Sequence, residues 1–318
     1  MISNADFFGE LIRNSDNITT IANNKSERFF NVPAAFDIET SSFYMNGLKT
    51  AIMYEWTFGI GFIENGEFKT LITYGRTWES FINLINAVAV LLNLNPRNRR
   101  LVVYVHNLPY EWQWFRKRFS WTKVFFLDDR KPVYAITENG IEFRCSLKLS
   151  GKSLANTAKD LVKYKAKKMV GDLDYSLLRH AKTPLSDLEL GYCENDVKVL
   201  LCYIQEKIEQ DGSIIRIPLT KTSYVRRYCR DAMFQENEGE ERKGVLENED
   251  PYADLDIEAG RVSRTERVLS RRIYPREYAE NRYDSQESWF VRLYEFLSRG
   301  YGGRKISNEQ GGILSDDN

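Results

Sequence analysis

The sequence predicts an α/β domain of about 200 residues followed by a charged extension, and three observations lead there. Two apolar runs, Val32–Ile38 and Leu101–Val105, read as buried strands. A hairpin signal and an amphipathic helix lie between them. A long capped helix closes the domain.

Residues 1–30 are polar and Asn-rich, and predict a leader ahead of the core. Tyr54–Ile63 and Glu67–Tyr74 flank Glu64-Asn65-Gly66, a two-strand hairpin pattern. From Thr77 as cap, Phe81, Leu84, Ile85, Val88, Leu91 and Leu92 keep helical spacing. Tyr110–Arg118 also reads as helix, and residues 121–145 suggest further strands. A lysine-rich region of helix and loop follows, up to Gly171. Thr183-Pro184 then predicts the start of a helix running to about Gln210, before Gly212.

The bulk numbers narrow the function classes. Hydrophobic residues make up 42% and charged ones 28% of the 318 residues, a globular composition. Lys plus Arg and Asp plus Glu are 45 each, so any nucleic-acid site must come from local patterning. Residues 144–168 hold eight Lys/Arg against Asp160, and Arg216, Lys221, Arg226, Arg227 and Arg230 form a second basic group. Such patches suit phosphates irrespective of base sequence. Aromatics reach 13%, most of them expected in the core, although such residues also stack bases. Four cysteines without a CxxC pair, and only His106 and His180, argue against zinc and for reduced thiols. The N-terminus lacks a signal-peptide pattern and no stretch reaches membrane-spanning length, so a soluble, cytoplasmic protein without a membrane partner is expected.

Three segments carry chemistry. Asp37-Ile38-Glu39 ends the first apolar run, and residues i and i+2 of a strand leave the same face. Two carboxylates are thereby presented at the carboxyl end of a strand, where open α/β sheets bind ligands. The second segment, Tyr104-Val-His106-Asn107-Leu108-Pro-Tyr110-Glu111, takes a buried strand through polar residues into a helix. In the third, Tyr192 and Asp196 stand four apart on the long helix and share a face. Each alone reads equally as a cap, a surface charge or core. Together they supply what phosphodiester hydrolysis by two metal ions needs, carboxylates converging on cations about 4 Å apart.

In this order the segments resemble the three exonuclease motifs of the DEDDy group. Residues 33–212 resemble, more closely, the 3′→5′ exonuclease domain of protein-primed family B DNA polymerases of bacteriophages and linear plasmids. Ser146-Leu147 upstream of Ala158-Lys159-Asp160, and Lys168 before Gly171-Asp172-Leu173-Asp174-Tyr175, extend the likeness. The resemblance implies a ribonuclease-H-like (DnaQ-like) α/β fold with a mixed sheet. It implies Asp37, Glu39 and Asp196 as ligands of two Mg²⁺ or Mn²⁺ ions, with Tyr192 orienting the attacking water. Glu111 and Lys168 join the catalytic set. Thr40, His106, Asn107, Tyr110, Ser146 and Leu147 would hold the frayed 3′ end of single-stranded DNA. Two departures stand out. The second motif normally has Asp where this chain has Glu111, and the family lysine directly precedes the Gly, where this chain has Val170, so Lys168 or Lys167 would have to substitute.

The implied organisation is a leader (1–30), an exonuclease domain (31–212), a charged, partly irregular linker (213–298) and the start of a truncated polymerase palm (299–318). Residues 235–256 carry nine acidic and two basic side chains, and residues 261–282 seven basic and three acidic ones. Arg299-Gly-Tyr301-Gly302-Gly303 resembles the family's interdomain linker, and the region of Asp316 its first polymerase motif. With one such carboxylate region, no polymerisation is expected from this chain alone. The resemblance also implies a terminal priming protein and a separately encoded polymerase half as partners. A catalytically weak binding module for DNA or a priming protein, and a stand-alone DnaQ-like ribonuclease, are the competing readings.

Overall fold

In the computed structural model, which describes residues 1–166 and 177–241, the chain opens with folded elements where a polar leader was expected. Helix α1 (Asn4–Arg13) starts at Ser3, whose Oγ accepts from the Asp6 N–H, and buries Phe7 and Leu11 completely in the core. Strands β1 (Thr20–Ala22) and β2 (Arg28–Phe30) pair antiparallel and bury Phe29 and Phe30. The polar composition hid these apolar positions, which are too few to register as a run. The N-terminal residues therefore belong to the domain.

The sheet continues with β3 (Ala34–Met45), β4 (Leu48–Glu64) and β5 (Glu67–Gly75), an antiparallel meander. Its second turn is the Asn65-Gly66 pair expected from sequence, and its first is Asn46-Gly47; all four residues have positive φ, the backbone a tight two-residue hairpin turn needs. Helix α2 (Trp78–Leu91) is capped by Thr77 as its sequence indicates. Strand β6 (Arg99–Val105), helix α3 (Leu108–Phe115) and strands β7 (Trp121–Asp128), β8 (Lys131–Thr137) and β9 (Ile141–Cys145) follow. Two short helices, α4 (Ser146–Ser150) and α5 (Leu154–Lys159), precede the long α6 (Asp187–Asp211). A last described helix is α7 (Lys221–Glu241).

The strand order is β5-β4-β3-β6-β9-β8-β7, with β3, β6 and β9 parallel and the outer pairs antiparallel. A three-stranded meander joined through its first strand to two parallel strands is the ribonuclease-H-like arrangement, with a mixed sheet as expected. The two faces of the sheet separate cleanly by the period of two. Phe36, Ile38, Trp56, Phe58, Val103 and Val105 face α2 and α3, and Ala35, Ile72, Val102 and Tyr104 face α6. Many of the described aromatics lie in the core, as with Phe36 stacked on Phe81 at 4.2 Å between centroids.

Helix α6 begins at Ser186, three residues later than Thr183-Pro184 suggested, because Ser186 and Glu189 close a reciprocal capping box. It ends at Gly212 in the left-handed conformation (φ 84°). Its seat on the sheet depends on Gly59. A Cβ there would stand 2.9 Å from both Leu201 Cδ1 and Val197 Cγ1, two fully buried side chains with no room to retreat. Gly59→Ala should therefore cost about 1–3 kcal/mol of stability by overpacking and push α6, with Asp196 beside Val197, off the sheet. An unchanged urea unfolding midpoint would refute that account of the packing.

Candidate active site

The site lies where β3 leaves the core. Asp37 and Glu39 share the α6-facing side of β3 with Ala35, two and four residues beyond it. Tyr192 and Asp196 lie one turn apart on α6, both buried, at 8% and 5% exposure. Asp37, Glu39 and Asp196 each offer a carboxylate oxygen, and these atoms lie within 4.8 Å of one another. Residues more than 150 positions apart in sequence thus meet because α6 packs across β3 and β4.

Glu111, in the first turn of α3, is 4% exposed, and its Oε2 is buried with no hydrogen-bond partner among the described residues. Burial holds its carboxyl well above the usual carboxylate range, and the neighbouring Asp37 and Glu39 raise it further. A buried oxygen without a partner, beside three converging carboxylates, is costly unless a cation neutralises the group. An all-oxygen donor set is also what hard divalent ions such as Mg²⁺ or Mn²⁺ prefer. The residues present fit such an ion.

The surrounding side chains form pairs. Thr40 Oγ1 and the Tyr110 hydroxyl are 2.6 Å apart, and Tyr110, 42% exposed, presents its ring to solvent. His106 Nδ1 lies 3.0 Å from Ser146 Oγ, which in turn donates to the Val105 carbonyl at 3.4 Å. Leu147 packs partly buried against the core. Asn107 occupies the N-cap of α3 with φ 86°, a left-handed conformation that Asn tolerates, and its side chain makes no capping hydrogen bond. Lys168, with Lys167 and the Gly171–Tyr175 segment, lies outside the described residues. So do the Asp316 region and the Tyr301-Gly302-Gly303 linker.

Two basic residues expected to face phosphates are ion-paired within the protein instead. Arg144 is buried and ion-paired with Glu142 at 2.7 Å, and Arg227 pairs with Asp211. Charge counting along the chain cannot see such internal partners.

One carboxylate escaped the sequence reading. Glu55 is fully buried on β4, in register with Glu39 across the β3–β4 ladder. Its Oε1 accepts from Thr57 Oγ1 at 2.5 Å, the Cys193 thiol hydrogen-bonds to it, and its Oε2 has no partner among the described residues. Its only sequence signal was a lone acid in the apolar run from Ile52 to Ile63. Burial chiefly, with a contribution from Asp37, pushes its pKa up to about 8. The unfolded chain releases this proton near the ordinary glutamate value of 4.5, whereas the folded chain holds it until about pH 8. Stability from this group is thus intact at low pH and is lost as pH rises through that window, by on the order of a few kcal/mol. Glu55→Gln should flatten the decline in melting temperature of the cation-free protein between those limits. An unaltered slope would show that Glu55 ionises freely.

No family profile matches this chain, and neither does any curated protein. Among solved structures, it is similar to phi29 DNA polymerase complexed with single-stranded DNA, at 17% identity and a TM-score of 0.46, over 64% of this chain and 36% of that one. The post-translocation complex of phi29 DNA polymerase with primer-template DNA aligns at 15% identity and 0.41, again over 64% and 36%. The ternary complex with primer-template DNA and incoming nucleotide gives 15% and 0.39, over 57% and 31%. The chain spans about a third of the length of the solved chains it matches. Among the described residues, no helix is long and apolar enough to cross a membrane.

Proposed function

We propose that this chain is the 3′→5′ proofreading exonuclease portion of a protein-primed family B DNA polymerase, hydrolysing 3′-terminal nucleotides of single-stranded DNA. The observation that carries the reading is the convergence of Asp37, Glu39 and Asp196 to within 4.8 Å, from within strand β3, which continues past them to Met45, and from helix α6 far away in sequence. These three residues would hold two Mg²⁺ or Mn²⁺ ions, with Glu111 alongside. Bound there, the ions supply an activated water and charge stabilisation at the leaving 3′ oxygen.

The remaining residues position the strand and the water. The Tyr192 hydroxyl, one helical turn from Asp196, orients the attacking water. Tyr110 offers an exposed ring to a terminal base, its hydroxyl braced by Thr40. His106, Asn107, Ser146 and Leu147 line the path of the last nucleotides, and by the resemblance Lys168 or Lys167 would take part in the reaction. This reading implies a terminal priming protein and a separately encoded polymerase half as further partners.

The test is direct. Purified protein with Mg²⁺ or Mn²⁺ should shorten a 5′-labelled single-stranded oligonucleotide one nucleotide at a time from its 3′ end, and EDTA should stop it. A ladder growing from the 5′ end, or equal activity with chelator, would overturn the assignment.

A further inference from the structure

Arg179 is only 6% exposed and touches three elements at once. Its backbone N–H donates to Ser41 Oγ at 3.0 Å, two residues past Glu39 on β3. Its guanidinium Nε is ion-paired with Glu189 on α6. The guanidinium also lies 5.9 Å from the centre of the Tyr54 ring on β4. Tyr54 is the extra residue of the β-bulge that interrupts the β3–β4 ladder, since Glu39 pairs with Glu55 while Thr40 pairs with Met53. A bulge re-aims the strand at that point, and here it falls directly after the two β3 carboxylates. Arg76 ties down the same junction, donating to the carbonyls of Tyr54 at 2.6 Å, His180 at 3.0 Å and Thr183 at 2.7 Å.

The α6 end of this junction needs such an anchor. From Val197 onward α6 is fixed by core side chains, including Val197, Leu200, Leu201 and Ile204. Its first turn has no comparable seat: Asp187 and Leu188 are exposed, and Glu189 and Leu190 are only partly buried. Glu189 both closes the capping box and receives Arg179. Tyr192 follows three residues later on the same side of the helix.

We propose that Arg179 is a positioning residue for Tyr192: it locks the first turn of α6 to β3 and to the β4 bulge, and so fixes the phenol hydroxyl relative to Asp37 and Glu39. The inference rests on the nuclease reading, in which Tyr192 orients the water. Removing an outer residue that orients a metal-site group typically costs about 10- to 100-fold in activity.

The test uses the full chain with Mn²⁺ and single-stranded DNA. Arg179→Met should lower kcat by about 10- to 100-fold with KM little changed, and Arg179→Lys should restore part of the loss. In a Tyr192→Phe background Arg179→Met should cost nothing further, because the group it positions is gone. The proposal is overturned if kcat is unaffected, or if the two substitutions multiply their effects in full. If the parent protein does not cleave at all, the nuclease reading fails, and amide hydrogen exchange decides the positioning role. Faster exchange in Arg179→Met confined to residues 187–192, with residues 199–208 still protected, upholds it. Unchanged or uniformly lost protection refutes it.

Discussion

Replacing Asp37 and Glu39 together by alanine should lower cleavage of single-stranded DNA by at least ~10³-fold. Two of the three converging carboxylates disappear, and Asp196 alone leaves too few oxygens to hold a pair of divalent ions. The charge stabilisation lost is worth several kcal/mol, and each 1.4 kcal/mol is about tenfold in rate. Stability should move the other way. Without a cation, Asp37 is one of the charges that raise the pKa values of both Glu111 and Glu55, and Glu39 contributes at Glu111. Their removal relieves that repulsion, so the cation-free double variant should melt no lower than the parent. A Mn²⁺-induced rise in melting temperature is expected for the parent and should be absent in the variant. EDTA-sensitive cleavage that survives in the double variant would mean that the activity has another source.

Tyr192→Phe separates an enzyme from a binding module. The substitution keeps the ring, its buried packing and the carboxylates, and deletes one hydroxyl. If that hydroxyl orients the attacking water, kcat should fall by ~10²-fold, the scale of positioned acid–base and hydrogen-bonding groups. Affinity for single-stranded DNA should stay nearly constant. Tyr110→Ala should do the reverse. It removes an exposed ring and the hydroxyl bonded to Thr40, and the lost stacking costs on the order of 1–3 kcal/mol of binding. Unimpaired cleavage by Tyr192→Phe would remove the water-orienting role. If both variants and the parent bind DNA and none cleaves, the chain is a binding module.

The elements legible beforehand were those with a local cause. The Asn65-Gly66 turn, the Thr77 cap and the Gly212 stop rest on interactions within a few residues, and the strands around residues 34–38 and 101–105 show as continuous runs of apolar, strand-favouring residues. Where a competing local signal existed, the wrong one could be chosen. Thr183-Pro184 looked like a helix start, but the Ser186–Glu189 box satisfies two backbone donors and fixes the true one. The Thr183 hydroxyl instead accepts the His180 N–H, in the strap before the helix.

The sequence by itself determined the alternation of strands and helices and the three segments from which the site is drawn. Asp37 and Glu39 share a strand face by the period of two, and Tyr192 and Asp196 share a helix face by the period of 3.6; both follow from backbone geometry alone. Only the tertiary structure decided that these two faces meet, because that depends on α6 crossing β3 and β4 with Gly59 allowing its close approach. It alone placed Phe7 and Leu11 of the polar-looking N-terminus in the core, paired Arg144 and Arg227 with Glu142 and Asp211, and set Glu55 opposite Glu39. Burial and partner choice are properties of contacts between distant segments, and no local pattern of residue types encodes them.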